Sequence, residues 1–281
     1  MKNLKPYTDN SIGFLEEIIK SKRNSTQDVD YKERIKLLKD NVAALFVVFD
    51  EHHKNNNQTL LEPYGYVLKD KEDLLKLYNP SAKKLIELKE SITTVLDNRV
   101  MNKCQYCTIT TISSLDHVIP KEEFPEYAVN PNNLIPSCST CNSSKSVNWR
   151  SDLQKIFINL YTDILPEVQY LYVDFQFEDN LFIPRFYLEN RDSIPDEIYD
   201  LITSHYNRLK LLDRFSRASG DIISEFNNLI SSLKTLDIEV IKEVVLDKIE
   251  KDKSLFGINY FKSILEESLF LNPIYIKSIL K

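Results

Sequence analysis

Four cysteines are all that the 281-residue chain contains, and they fall as two C-x-x-C pairs, Cys104/Cys107 and Cys138/Cys141, with 30 residues between the pairs. Each short x-x loop lets two thiolates reach one ion at about 2.3 Å, so the two pairs together suit a closed, tetrahedral zinc site. A closed site offers no position to a substrate, and chemistry has to come from other groups. Two such groups lie inside or beside the clasp: the dipeptide Asp116-His117, and Asn142 directly after the last cysteine. A loop that only holds zinc has no need to keep them in register. A redox dithiol is disfavoured, because neither pair sits in a thioredoxin-like βαβ pattern. A purely structural knuckle in a binding module is the plain alternative.

The elements that must position these residues fall into three regions. Residues 1–99 read as helical: Ile12–Lys22 behind a Ser11 cap, Tyr31–His53, and Ala82–Asn98 with Ser81 as its cap. The polar, turn-rich stretch 53–66 reads as a loop or hairpin tip, and His52-His53 as a solvated helix end. Residues 100–148 carry the cysteines together with Pro120, Pro125, Pro131 and Pro136, which exclude a continuous helix. The order expected there is knuckle, strand, loop, strand, helix. That helix begins near Ser139, with Ser137 and Ser139 as caps, so Cys141 and Asn142 sit on its first turn.

Residues 149–281 open on a second apolar pattern: Leu153, Ile156, Phe157, Leu160, Tyr161 and Ile164 follow helical spacing and predict an amphipathic helix. A hairpin follows, Leu171 to Phe177 returning as Leu181 to Leu188 through a turn at Glu178-Asp179-Asn180, with Pro184 marking an edge. From Pro195 onward the chain reads as helix, interrupted near Gly220, Leu236-Asp237, Gly257 and Pro273. His205 reads as a packing or surface histidine. The fold class expected is α+β, mostly α-helical, with a central zinc-clasped finger between helical flanks and a C-terminal β-hairpin.

A formal charge of −6 argues against a general basic coat, so nucleic-acid contact would rest on local patches or on a metal ion. Only four glycines are present, at 13, 65, 220 and 257, and neither common nucleotide-binding glycine loop can be written. No segment reaches the roughly 20 apolar residues of a membrane helix. A cytoplasmic location is therefore expected, where thiols stay reduced and bind metal.

The 44-residue segment from Asn102 to Lys145 contains, in order, a C-x-x-C knuckle, Asp-His followed by a proline, N-L-x-P-x-C, and C-x-x-C-N-x-x-K. It resembles the HNH, or ββα-metal, endonuclease family, in the branch with Asn as the last motif residue. The resemblance implies that Asp116 and Asn142 hold one Mg²⁺ or Mn²⁺ as hard oxygen ligands, with His117 as general base. Asn133 matches the family's central Asn and would brace the His117 loop by bonds to backbone, Asn132 being the neighbour that could be mistaken for it. Lys145, on the face of Asn142, would reach a phosphate or simply be solvated.

Lys210, Arg214 and Arg217, at i, i+4 and i+7 with Arg208 nearby, form a basic stripe that is either a solvated face or a second DNA-backbone contact. The function implied is metal-dependent DNA cleavage leaving a 5′-phosphate, with zinc as the structural ion. The large helical flanks resemble those of bacterial anti-phage effectors, which often work with an ATPase partner, and a double-strand cut would need a homodimer or a partner that presents both strands. The alternatives are a stand-alone restriction or phage-type endonuclease and a non-catalytic, zinc-stabilised DNA-binding or assembly subunit.

Overall fold

The computed structural model describes residues 1–95, 99–178 and 181–279. The chain divides into two compact units, the first formed by residues 3–104 and 110–164, the second by 1–2, 105–109 and 165–281.

The first unit starts with α1 (Ser11–Ser21) and α2 (Tyr31–Lys54). The side chain of Asn10, not Ser11, caps α1 by accepting from the Ile12 amide. On α2 the buried residues Ile35, Val42, Phe46, Phe49 and His53 recur at spacings of three, four and seven, which makes one apolar stripe. Helix α3 (Leu68–Leu75) is fastened to α2 by Arg34, whose guanidinium donates to fully buried Asp73 at 2.6 Å and to Asp28 at 2.7 Å.

Helix α4 spans Lys83–Thr93. The residue flanking its start is Ala82, without a side-chain cap bond, and Ser81 instead donates its backbone N–H to Asn79. The helix stops well short of Asn98, which lies outside the described residues. Thr93 and Thr94 return their hydroxyls to the carbonyls of Lys89 and Glu90 and start a β-branched run that favours extended backbone. β1 (Thr94–Val95) then pairs with β2 (Arg99–Val100).

β3 (Ser114–His117) and β4 (Leu134–Ser137) form an antiparallel pair, and α5 (Ser139–Lys145) follows directly. The strand–strand–helix order is the one expected. The cap of α5 is Cys138, whose sulfur accepts from the Cys141 amide, rather than either serine.

The amphipathic helix expected from 153 to 164 is not formed. β5 (Arg150–Ser151) and β6 (Gln154–Lys155) make a tight hairpin there, with Asp152 at φ 53°, and turns follow. Ile156, Phe157, Ile158 and Leu160 are all buried, whereas Leu153 and Ile164 are exposed, so burial runs along the chain instead of down one helical face. Asn159 Oδ1 accepts from the Tyr161 amide and Asp163 Oδ2 from the Asn159 amide, local bonds that compete directly with helix hydrogen bonding.

In the second unit β7 (Leu171–Glu178) pairs with β8 (Leu181–Leu188) in full antiparallel register, Pro184 standing opposite Phe175. Asp179 and Asn180 of the expected turn lie outside the described residues. Asn259 fixes the start of β7, its Oδ1 accepting from the amides of Tyr170 and Leu171 at 2.8 and 3.0 Å. Helices α6 (Asp196–Arg208), α7 (Leu211–Leu233), α8 (Ile238–Phe256), α9 (Phe261–Phe270) and α10 (Pro273–Ile279) complete the unit. Phe186, Phe215 and Phe261 pack ring against ring at its centre. The breaks at Leu236-Asp237, Gly257 and Pro273 fall where expected. Gly220 does not break α7, because the buried stripe of Leu211, Phe215, Ile222, Phe226 and Ile230 outweighs the roughly 1 kcal/mol cost of a helical glycine. The break comes at Lys210, which is left-handed at φ 52°.

Among the described residues, no helix is long and apolar enough to cross a membrane.

Candidate active site

The sulfurs of Cys104, Cys107, Cys138 and Cys141 lie within 4.8 Å of one another, and all four residues are buried. Tetrahedral coordination at about 2.3 Å would set sulfurs about 3.8 Å apart, so this cluster could hold one zinc ion with small adjustments. Two local devices bring the pairs to this point: the Cys104 amide bonds the Thr110 carbonyl across the knuckle, and Cys138 caps the helix that carries Cys141.

Asp116 and His117 occupy the end of β3, opposite Ile135 and Leu134. His117 is buried, and its Nε2 lies 2.9 Å from the carbonyl oxygen of Ala128. A carbonyl can only accept, so Nε2 carries the proton and Nδ1 is left as the basic atom. Burial pushes the imidazole pKa down to about 3, against the opposing pull of the Ala128 bond, which keeps the ring neutral at pH 7. Tyr78 stands edge-on to the same ring, centroids 4.6 Å apart.

Asn133 is fully buried and makes three side-chain bonds to backbone: Oδ1 accepts from the Ile119 amide at 2.9 Å, and Nδ2 donates to the carbonyls of Ile119 and Tyr127, each at 3.1 Å. These bonds gather the loop that carries the Ala128 carbonyl. Asn132 faces elsewhere, accepting from the Tyr7 amide and donating to Asp50. The two adjacent asparagines are thereby distinguished.

Asn142, on the first turn of α5, donates Nδ2 to Ser114 Oγ at 3.3 Å, so its carboxamide oxygen is the atom that could meet a cation. With the Asp116 carboxylate this gives a pair of hard oxygen donors of the kind Mg²⁺ and Mn²⁺ accept, so the residues present fit such a cation. Lys145 closes the same helix, and its ammonium turns onto Asp116, 3.3 Å from Oδ2. The lysine is buried, not solvated as a surface helix lysine would be.

Other expectations resolve differently. His53 is buried between Phe49 and Tyr161 rather than solvated, because the ring of Tyr161 closes over it from a stretch more than a hundred residues away. His205 is a packing residue, edge-on to Tyr106. Lys210, Arg214 and Arg217 do not form one helical face: Lys210 precedes α7 in the left-handed conformation, half-buried Arg214 donates to the Leu209 carbonyl at 3.2 Å, and Arg217 is exposed. Tyr78, Ser114 and the Ala128 carbonyl were not foreseen. Tyr78 lies 37 residues from Leu115, and no spacing rule links a tyrosine in a helical flank to a strand that far away.

A family model for the HNH endonuclease matches residues 104–148. Over 174 residues, 59% of this chain, the sequence is 29% identical to protein ea31 of Escherichia phage lambda, of which the match covers 57%. Over 52 residues, 17% of the chain, it is 36% identical to Septu protein PtuB of Bacillus thuringiensis, of which the match covers 20%. The chain therefore matches less than two thirds of the length of either relative. No solved structure matches it significantly. The knuckles, the strand bearing Asp116-His117 and the helix bearing Asn142 coincide with the matched segment, and residues 104–148 form an HNH endonuclease domain.

Proposed function

We propose that the chain is a metal-dependent endonuclease that hydrolyses phosphodiester bonds of duplex DNA. The observation that carries this reading is the bond from His117 Nε2 to the Ala128 carbonyl, which aims a neutral imidazole with a free Nδ1 from the strand that also presents Asp116. Nδ1 takes the proton of an attacking water, a contribution of typically ~10²–10⁴-fold. Ala128 and Tyr78 hold the ring, and Asn133 holds the loop behind it. Asp116 and Asn142 would hold Mg²⁺ or Mn²⁺, which when bound stabilises charge on the scissile phosphate and the departing oxygen. Zinc in the four-cysteine cluster fastens the catalytic helix to the knuckle.

The flanks support a more specific role as a bacterial anti-phage effector in the cytoplasm that acts with an ATPase partner. The likeness to the Septu protein agrees with that role. One module holds one active site, so nicking is the minimum outcome and double-strand cutting requires a homodimer or a partner that presents both strands. A second reading, a phage-borne endonuclease, draws on the longer match to the lambda protein, which runs far beyond the nuclease domain.

The test is cleavage of supercoiled plasmid by zinc-loaded protein with Mg²⁺ or Mn²⁺. Activity lost both in His117→Ala and in EDTA, with zinc content unchanged in the variant, is the expected result. Cleavage that survives in His117→Ala would overturn the assignment.

A further inference from the structure

Lys145 ends α5, three residues beyond Asn142, and its side chain is 2% exposed. Lysines are almost never buried this far unless paired, and this one is paired twice. Its ammonium lies 3.3 and 3.5 Å from the two oxygens of Asp116, itself buried, and donates to the backbone carbonyl of His117. The ammonium also lies over the ring of Phe157, 6.0 Å from its centroid. A lysine that serves a phosphate keeps its stem on the protein and its head in water. Here the head is turned inward, onto the dipeptide that carries the site.

We propose that Lys145 is a built-in cation of the nuclease site: a positioning residue that ties α5 to the Asp116-His117 backbone and with which a divalent metal must compete for the Asp116 carboxylate. It is not a DNA-phosphate contact. The inference rests on the reading of Asp116 as a metal ligand. Before a metal arrives, the ammonium spares Asp116 the cost of an uncompensated buried charge. Once a metal shares the carboxylate, ammonium and metal repel at short range in a site that salt screens poorly. Metal affinity is therefore lower than the ligand set alone would give, and the same residue keeps β3 and the catalytic helix in register.

The experiment is a Mn²⁺ titration of the zinc-loaded full chain, following free Mn²⁺ by EPR, in wild type, Lys145→Met, Lys145→Arg and Asp116→Asn. Lys145→Met should bind Mn²⁺ at least about 10-fold more tightly, and Lys145→Arg should stay near wild type, because it keeps the charge. Unchanged affinity in Lys145→Met overturns the proposal. The slope of log K against log salt for duplex DNA should be the same in Lys145→Met and wild type, whereas loss of a phosphate contact would lower it by about 0.9 and overturn the proposal by another route. Asp116→Asn should abolish the Mn²⁺ site; wild-type binding in that variant would show that the metal assignment itself had failed. Should Lys145→Met not fold, the double variant Lys145→Met/Asp116→Asn removes both charges and carries the salt-slope measurement. The double variant should melt higher than Lys145→Met alone, and strictly additive losses would overturn the pairing.

Discussion

Tyr78 grips the strand that carries Asp116 and His117 at two points: its hydroxyl donates to the Leu115 carbonyl at 2.8 Å, and its ring stands edge-on to His117 with centroids 4.6 Å apart. Val118 donates its N–H to the Asn133 carbonyl, and by the alternation of an antiparallel ladder Leu115 and Pro136 form a non-hydrogen-bonded pair, so the Leu115 carbonyl faces away from β4 and the tyrosine hydroxyl supplies it a donor. A residue outside the HNH segment thus sets the orientation of a residue inside it. Tyr78→Phe should lose only the hydroxyl bond, about 1 kcal/mol of stability by urea unfolding. Tyr78→Ala should lose ring packing as well, about 3 kcal/mol, and depress plasmid cleavage at least about 10-fold while zinc content is retained. Equal cleavage rates in wild type and Tyr78→Ala would remove Tyr78 from the site.

Asn133 offers a sharper test, because its three backbone bonds are made in a fully buried position. Asn133→Ala strands one amide and two carbonyls away from water and should cost roughly 3 kcal/mol or more. Asn133→Asp keeps the acceptor for Ile119 but brings charge toward two carbonyls, so it should be no better. Asn132→Ala, next door, should spare the cleavage rate of the folded protein. Reversed effects at the two positions would mean that the motif had been aligned one residue out of place.

The nuclease finger was legible because its signals are local: cysteine spacing, Pro136 closing off any earlier helical turn, and a helix start three residues beyond it. The β7–β8 hairpin was legible because strict alternation at Leu171, Val173 and Phe175 has no helical reading. What escaped depends on partners distant in sequence. Helical spacing from Leu153 to Ile164 was met by accident, since Asn159 and Asp163 satisfy the backbone locally and Ile158 is buried too. Lys145 looks like a surface lysine until Asp116, 29 residues earlier, is brought beside it. The stripe from Lys210 to Arg217 assumed one unbroken helix, and left-handed Lys210 ends that assumption.

The cysteine cluster should behave as a folding element. An apparent binding energy of about 10–16 kcal/mol is typical of a structural zinc, enough to decide whether a 45-residue finger with short strands folds. Cys138 contributes both a sulfur and the cap of α5. Cys138→Ser should therefore weaken zinc retention by about 100-fold or more and abolish cleavage, as read by zinc release to a colorimetric chelator alongside circular dichroism. Zinc content unchanged in Cys138→Ser would exclude it as a ligand.

His53 makes the stability of the first unit dependent on pH. Its ring is stacked on Phe49, covered edge-on by Tyr161, and faces the amide nitrogen of Gln58, which lies 3.1 Å from Nδ1 and can only donate. Protonating Nδ1 would set donor against donor in a buried site. Burial pushes the pKa down to about 4 from 6.5, with Asp50 pulling weakly the other way. The unfolded chain takes up the proton first, so the contribution is whole above about pH 6.5, is lost progressively as pH falls toward 4, and falls no further below that. One such group accounts for up to about 3 kcal/mol. The measurement is urea unfolding between pH 7 and 4 in wild type and in His53→Phe, in which the titration is gone but the ring stacking is kept. Groups other than His53 are the same in both proteins and cancel in the difference, so wild type should lose stability faster than the variant across this window. Parallel pH profiles would mean that His53 takes up its proton in the folded state as readily as in the unfolded chain.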